Sequence, residues 1–245
     1  MKFYIISLMA VSMLLMTACD KEKDEKSPVQ ITVTAQRTDM SIRLAGSGEV
    51  TIDWGDGTKS ETHTLLDAPY INDFRIDNTF RYSHAYSGTS SRKITVSGGT
   101  VTHFLCDSSN VTKLDVSRSP DLIYLSCRQN ELTSLEISKK SEFAVLVCNF
   151  NRLTHLDVSQ NPKLEYLACN NNQLTKLDIS NSFAMYLVDC RNNNLTVESL
   201  NYLFETLHNH ILSWTSKQII ITANPGTNNC DKRIVENKGW LVFTN

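Results

Sequence analysis

Apolar and polar residues alternate with a period of two through much of residues 30–98. Gln30-Ile31-Thr32-Val33-Thr34, Ser41-Ile42-Arg43-Leu44, Val50-Thr51-Ile52-Asp53-Trp54 and Arg92-Lys93-Ile94-Thr95-Val96 each place their apolar members on one side, which predicts half-buried strands. Gly55-Asp56-Gly57-Thr58 reads as a hairpin turn, its glycines supplying positive φ. From residue 101 the period changes. Cysteines stand at 106, 127, 148, 169 and 190, each 21 residues after the one before. Leu125, Leu146, Leu167 and Val188 lie two positions before a Cys, Asn130, Asn151, Asn172 and Asn193 three after, and Leu132, Leu153, Leu174 and Leu195 five after. A second half keeps the same spacing: Leu114-Asp115-Val116-Ser117, Leu135-Glu136-Ile137-Ser138, Leu156-Asp157-Val158-Ser159 and Leu177-Asp178-Ile179-Ser180. Beyond 196 the period breaks. Leu200, Leu203, Phe204 and Leu207 predict a helix over 197–208. A strand over 217–222, a turn at Asn224-Pro225-Gly226, a short helix over 230–237 and a closing strand over 239–243 follow.

The repeating unit reads L-x-x-L-x-C-x-x-N-x-L-x-x-L-[DE]-[VI]-S and resembles the leucine-rich repeat over residues 101–196. Within that class it is similar to the 21-residue bacterial type found in internalin-like adhesins and surface lipoproteins. The resemblance implies a solenoid in which each L-x-C segment is a strand of a parallel sheet and each Asn bonds backbone groups where the chain leaves it. One coil has too little apolar surface to fold alone, so Leu, Val and Cys pack on their copies in neighbouring coils. In-register side chains point the same way and five is an odd number, so buried free thiols are expected in place of disulfides. One thiol per coil in a row builds no tetrahedral metal site. Trp54-Gly55-Asp56-Gly57-Thr58, with His84, Tyr86, Ile94 and Val96, resembles the PKD family, an immunoglobulin-like β-sandwich, although 61–80 is longer than that family's pattern. The expected fold is mostly β: a sandwich over 29–100, the solenoid over 101–196, and a C-terminal α/β cap over 197–245 that buries Cys230.

Residues 3–16 form an apolar run too short to span a bilayer as a mature helix. It closes in Met16-Thr17-Ala18-Cys19, which resembles the lipobox of bacterial lipoproteins. That resemblance implies a signal peptide over 1–18 and a diacylglycerol on the Cys19 thiol; the other reading is an ordinary secretory signal. Residues 19–28 carry nothing apolar to bury and read as a disordered tether. Their acidic, Lys-containing run resembles the surface-display signal of one phylum of Gram-negative gut bacteria, whereas Asp20 alone also fits inner-membrane retention. The expected location is the bacterial outer membrane, facing outward. With Lys2 removed the charge is 23 − 26 = −3, which offers no basic face for nucleic acid and no polybasic patch for lipid.

No HExxH, phosphate loop, GxGxxG or nucleophile elbow is present. The histidines at 63, 84, 103, 155, 208 and 210 are scattered, with His103 and His155 expected at exposed positions of different coil faces. Asp53, Asp56 and His84 fit turn chemistry and packing better than a metal site. Asp115, Glu136, Asp157 and Asp178 form an acidic row, one per coil, stabilised either by a cation or by bonds to the following Ser and backbone. A binding face is the stronger reading. His103, Leu105 and Asp107, Tyr124, Ser126 and Arg128, Val145, Val147 and Asn149, Tyr166, Ala168 and Asn170, and Asp189 and Arg191 alternate with the core positions and share one side of the sheet. Tyr124 and Tyr166 stand out as flat amphipathic anchors with Val145 and Val147 between them. The expectation is a non-catalytic surface lipoprotein, without cofactor or metal, that binds a protein or glycan through this face. An accessory glycan-capture subunit of a polysaccharide-uptake system and a structural spacer are the alternatives.

Overall fold

The computed structural model describes residues 30–68, 80–137, 140–212 and 215–245. The expected signal peptide, Cys19 and the tether over 19–28 lie outside the described residues. The alternating segments form β1 (Gln30–Ala35), β2 (Asp39–Ser47), β3 (Glu49–Asp53), β4 (Glu61–Thr64), β5 (Phe80–Ala85) and β6 (Arg92–Ser97). The first coil contributes β7 (Thr100–Leu105) and β8 (Val111–Arg118), and the next four contribute β9 (Tyr124–Ser126), β10 (Val145–Val147), β11 (Tyr166–Ala168) and β12 (Leu187–Asp189). Then come α1 (Val197–Thr206), β13 (Lys217–Ile220), α2 (Arg233–Glu236) and β14 (Trp240–Phe243).

Two sheets hold these strands. One has the order β4-β3-β6-β1-β8; the other, of nine strands, runs β14-β13-β12-β11-β10-β9-β7-β2-β5. The second is parallel from β7 to β14 and antiparallel at β2 and β5. Both therefore cross residue 100 without a break: β7 pairs with β2, and β8 pairs with β1. In later coils the segment equivalent to β8 is reduced to isolated bridges, Asp115 to Glu136 and Glu136 to Asp157. Gly46 permits the bulge where β2 meets β7, since a Cβ there would lie 1.9 Å from the Thr100 carbonyl oxygen. One apolar core runs from Ile31, Trp54 and Ile94 through the coil leucines to Trp240.

The ladder has the same bonding in every coil that carries its Asn. Asn151 Nδ2 donates to the carbonyls of Cys127 at 2.9 Å and Cys148 at 3.0 Å, while its Oδ1 accepts from Leu132 N at 3.0 Å. Asn130, Asn172 and Asn193 repeat this pattern. Asn224 continues it one coil further, donating to Cys190 and Ile221 and accepting from Leu195 N. It belongs to the ladder as well as to the expected turn. The six described cysteines are free and buried. The residue two after each Cys sits in the left-handed region, with φ of 55° at Gln129, 56° at Phe150, 54° at Asn171 and 52° at Asn192. A second polar column stands at Ser119, Lys140, Asn161 and Ser182, all buried. Lys140 Nζ donates to the Val116 and Ser119 carbonyls at 2.9 and 2.7 Å. Burial pulls its amine down to about 8, opposed by Asp115 and Asp121.

Thr196 caps α1 by accepting from Ser199 N, and Leu200, Leu203 and Phe204 bury its apolar stripe. The helix ends two residues before the predicted 208, and the predicted helix over 230–237 is helical only over Arg233–Glu236. Strands β13 and β14 stack in parallel on β12. The cap is thus two further, longer coils whose outer sides are helical.

Candidate functional site

The strand registers align side chains into rows across the open face of the nine-stranded sheet. One row runs His103, Tyr124, Val145, Tyr166, Leu187, Gln218 and Leu241. The next runs Arg81, Arg43, Leu105, Ser126, Val147, Ala168, Asp189, Ile220 and Phe243. Asp107, Arg128, Asn149, Asn170 and Arg191 follow where the chain leaves the strands. Neighbouring coils are only about 4.8 Å apart, so a large ring in the row is covered by the side chains on either side.

That spacing corrects two expectations. Tyr124 is no exposed anchor: it is 6% exposed, packed by Leu105, Val145 and Val147 and stacked on His103 at 5.8 Å. Burial pushes its phenol up to about 12. His103, expected at an exposed position, is buried too, and burial pulls its imidazole down to about 4, so it is neutral at pH 7. Ser126, Ala168, Asn170 and Asp189 are likewise buried. Ser126 donates to Asp107 Oδ1 at 2.6 Å, and Asp189 pairs with Arg191 at 2.9 Å. Burial raises the Asp189 carboxyl, and Arg191 opposes the rise. The accessible members are Arg128 and Arg191, with Val145, Val147, Asn149 and Tyr166 half-buried. Tyr166 faces the Tyr186 ring at 6.4 Å.

Two clefts open along this strip, sharing Arg128. The larger, about 520 Å³, is lined by Val147, Asn149, Phe150, Tyr166, Asn171 and Arg191 among others. Phe150, absent from the expected site, is 47% exposed at its rim. The signal was there to read: every other coil carries a polar residue or Ala at this position, and Phe is out of place on a left-handed backbone. The smaller cleft, about 260 Å³, lies where the antiparallel strands join the solenoid and includes Arg37, Arg43, Arg81, Asp107 and Arg128. These arginines on β2 and β5 and in the preceding loop were not part of the expected face.

The remaining candidates are accounted for locally. Asp115, Asp157 and Asp178 each accept from the backbone N of the Ser two residues on, at 2.9, 2.9 and 3.0 Å, and Asp178 also accepts from the Tyr202 hydroxyl at 2.6 Å. Asp53 caps Gly55 N, while Asp56 accepts from Thr58 and lies 2.8 Å from His84 Nε2. Bonds from Thr58 and His84 hold the Asp56 carboxyl well below the usual range. The His84 ring stacks on Trp54 and meets the Tyr86 ring edge-on. Among the described residues, no group of three His, Cys, Asp or Glu side chains is placed to hold a metal ion.

No family model matches the chain, and no curated protein matches it. Among solved structures, the functional domain of InlJ from Listeria monocytogenes, described as including a cysteine ladder, aligns at 26% identity with a TM-score of 0.30. The alignment covers 55% of this chain and 37% of that one, so the chain spans well under half the length of that structure. What the geometry itself establishes is a mostly β protein whose residues 101–196 coil as a leucine-rich-repeat-type solenoid.

Proposed function

We propose that this protein is a non-catalytic binding protein of the adhesin type, held at the cell surface by lipid on Cys19, whose ligand lies on the open face of the nine-stranded sheet. The observation that carries the reading is the accessible strip of Val147, Asn149, Phe150, Tyr166 and Arg191 lining one cleft of about 520 Å³. Ring faces, amide groups and a guanidinium brought together on a rigid sheet supply apolar contact and directional bonds to one partner. The sheet is pre-organised by the Asn ladder beneath it, so little ordering cost falls on binding.

The test is to probe the full chain against arrays of glycans and extracellular-matrix proteins, beside Tyr166→Ala and Asn149→Ala. A partner whose affinity falls by about tenfold in either variant fits a contact worth roughly 1–2 kcal/mol. A partner bound equally well by both variants refutes the face. For the anchor, Cys19→Ala should release the protein from membranes and abolish labelling by a fatty-acid analogue; retention of both rejects lipidation at that residue.

A further inference from the structure

The smaller cleft has a charge arrangement that the described residues do not neutralise. Arg43 on β2 and Arg81 on β5 are directly opposite in the antiparallel register, so two guanidinium groups share one face of adjacent strands. Like charges in that relation destabilise a sheet. Arg37 pairs with Asp39 at 3.3 Å, and Arg128 pairs with Asp107 at 3.1 Å. No described carboxylate pairs with Arg43 or Arg81; Arg81 Nε donates to Ser41 Oγ at 2.7 Å. Four arginines therefore face two aspartates around a cleft of about 260 Å³. Two forks that no described carboxylate pairs, beside hydroxyl groups, match a planar or tetrahedral oxyanion, the geometry for which arginine is best suited. On the far side of Arg128, the amide and ring groups of Asn149, Asn171, Phe150 and Tyr166 continue the same strip. Amides and ring faces are complementary to sugar hydroxyls and to the C–H faces of sugar rings.

We propose that the ligand is an acidic polysaccharide, its carboxylate or sulfate gripped by Arg43 and Arg81 and its chain passing over Arg128 into the amide-and-ring cleft. This rests on the open face being the binding face. The guanidinium pair supplies the charge selection, and the larger cleft supplies contact with the neutral part of the chain. Binding weakens with salt, because the attraction is partly exposed.

The test measures binding of the full chain to polygalacturonate, dextran sulfate, neutral dextran and polyglutamate by calorimetry. The variants are Arg43→Gln/Arg81→Gln and Tyr166→Ala. Removing two facing like charges relieves repulsion, so the double variant folds at least as well as the parent and its thermal midpoint serves as the control. Expected is binding of polygalacturonate or dextran sulfate, the stronger of the two identifying the group as carboxylate or sulfate. Binding should fall at least about tenfold in the double variant, with a shallower salt dependence, and dextran should not bind. Polyanion binding unchanged in the double variant overturns the site, as does no binding to either acidic polysaccharide. Polyglutamate bound as tightly as both overturns the polysaccharide assignment. A partner from the wider screen that is lost in Tyr166→Ala but indifferent to the Arg pair would leave the open face standing and this inference refuted.

Discussion

Raising the pH should destabilise this protein through its cysteine ladder. Burial pushes the Cys148 thiol up to about 12, and Cys106, Cys127, Cys169 and Cys190 are also raised well above their ordinary value. In the unfolded chain all five ionise near 9. Between pH 9 and the raised native values the unfolded chain has released protons that the native one retains, so stability is complete below about pH 9 and falls above it. At pH 10 each thiol stabilises the unfolded state by about 1.4 kcal/mol, and five together by about 7 kcal/mol. Lys140 acts with the opposite sign. Its native amine near 8 loses its proton before the unfolded one does, which returns about 2.5 kcal/mol between pH 7 and pH 10. For these six groups the net loss is about 4–5 kcal/mol, a large share of a typical folding free energy of about 5–15 kcal/mol. The assay is urea unfolding of the reduced protein at pH 7, 8, 9 and 10, followed by far-UV circular dichroism. Cys148→Val and Cys148→Val/Cys169→Val should each show a smaller loss between pH 7 and pH 10, by about 1.4 kcal/mol per Cys removed. If the variants lose as much stability as the parent, the ladder thiols are not the source and their burial is misjudged.

The Asn ladder and the left-handed positions invite parallel tests. Asn151→Ala leaves the buried Leu132 N without its partner and takes one of two donors from each of the Cys127 and Cys148 carbonyls, which keep Asn130 and Asn172, and should cost about 1–3 kcal/mol by urea titration. Asn149→Ala, on the open face, should change stability by no more than about 0.5 kcal/mol. Phe150→Asn places at φ 56° a residue type that adopts this region readily, and should raise the urea midpoint by an amount worth about 0.5–1 kcal/mol while weakening ligand binding. A Phe150→Asn protein less stable than its parent would show that ring packing outweighs the backbone strain.

The solenoid was legible because stacking repeats one environment every 21 residues, and each environment admits few residue types. Cys, Asn and Leu recur for that reason, and the strand and ladder assignments follow from them. Five features stayed hidden. Strand β8 forms because β1 offers it a free edge, and pairing between residues about 80 positions apart leaves no local mark. In the sequence Asn224 shows only turn character because α1 lengthens its coil to 31 residues, although it still falls three after a buried apolar position, Ile221. The exposure of Tyr124 depends on Leu105, Val145 and Val147 in the flanking coils, not on its place within its own coil. The opposition of Arg43 and Arg81 likewise appears only once β2 and β5 are paired. The buried column at Ser119, Lys140, Asn161 and Ser182 keeps the repeat spacing but changes residue type at every step, which hid it.

The pairing of β1 with both β6 and β8 also determines how the molecule bears load. A pull applied at Gln30, the first described residue, enters a central strand that is bonded along its length on both sides. Such a strand must slide past its neighbours, breaking its hydrogen bonds together, instead of peeling away one bond at a time. Since β8 belongs to the first coil, tension passes directly into the solenoid without crossing a hinge. A ligand held on the open face and an anchor on the N-terminal side would therefore be joined by a mechanically stiff link, suited to holding against flow.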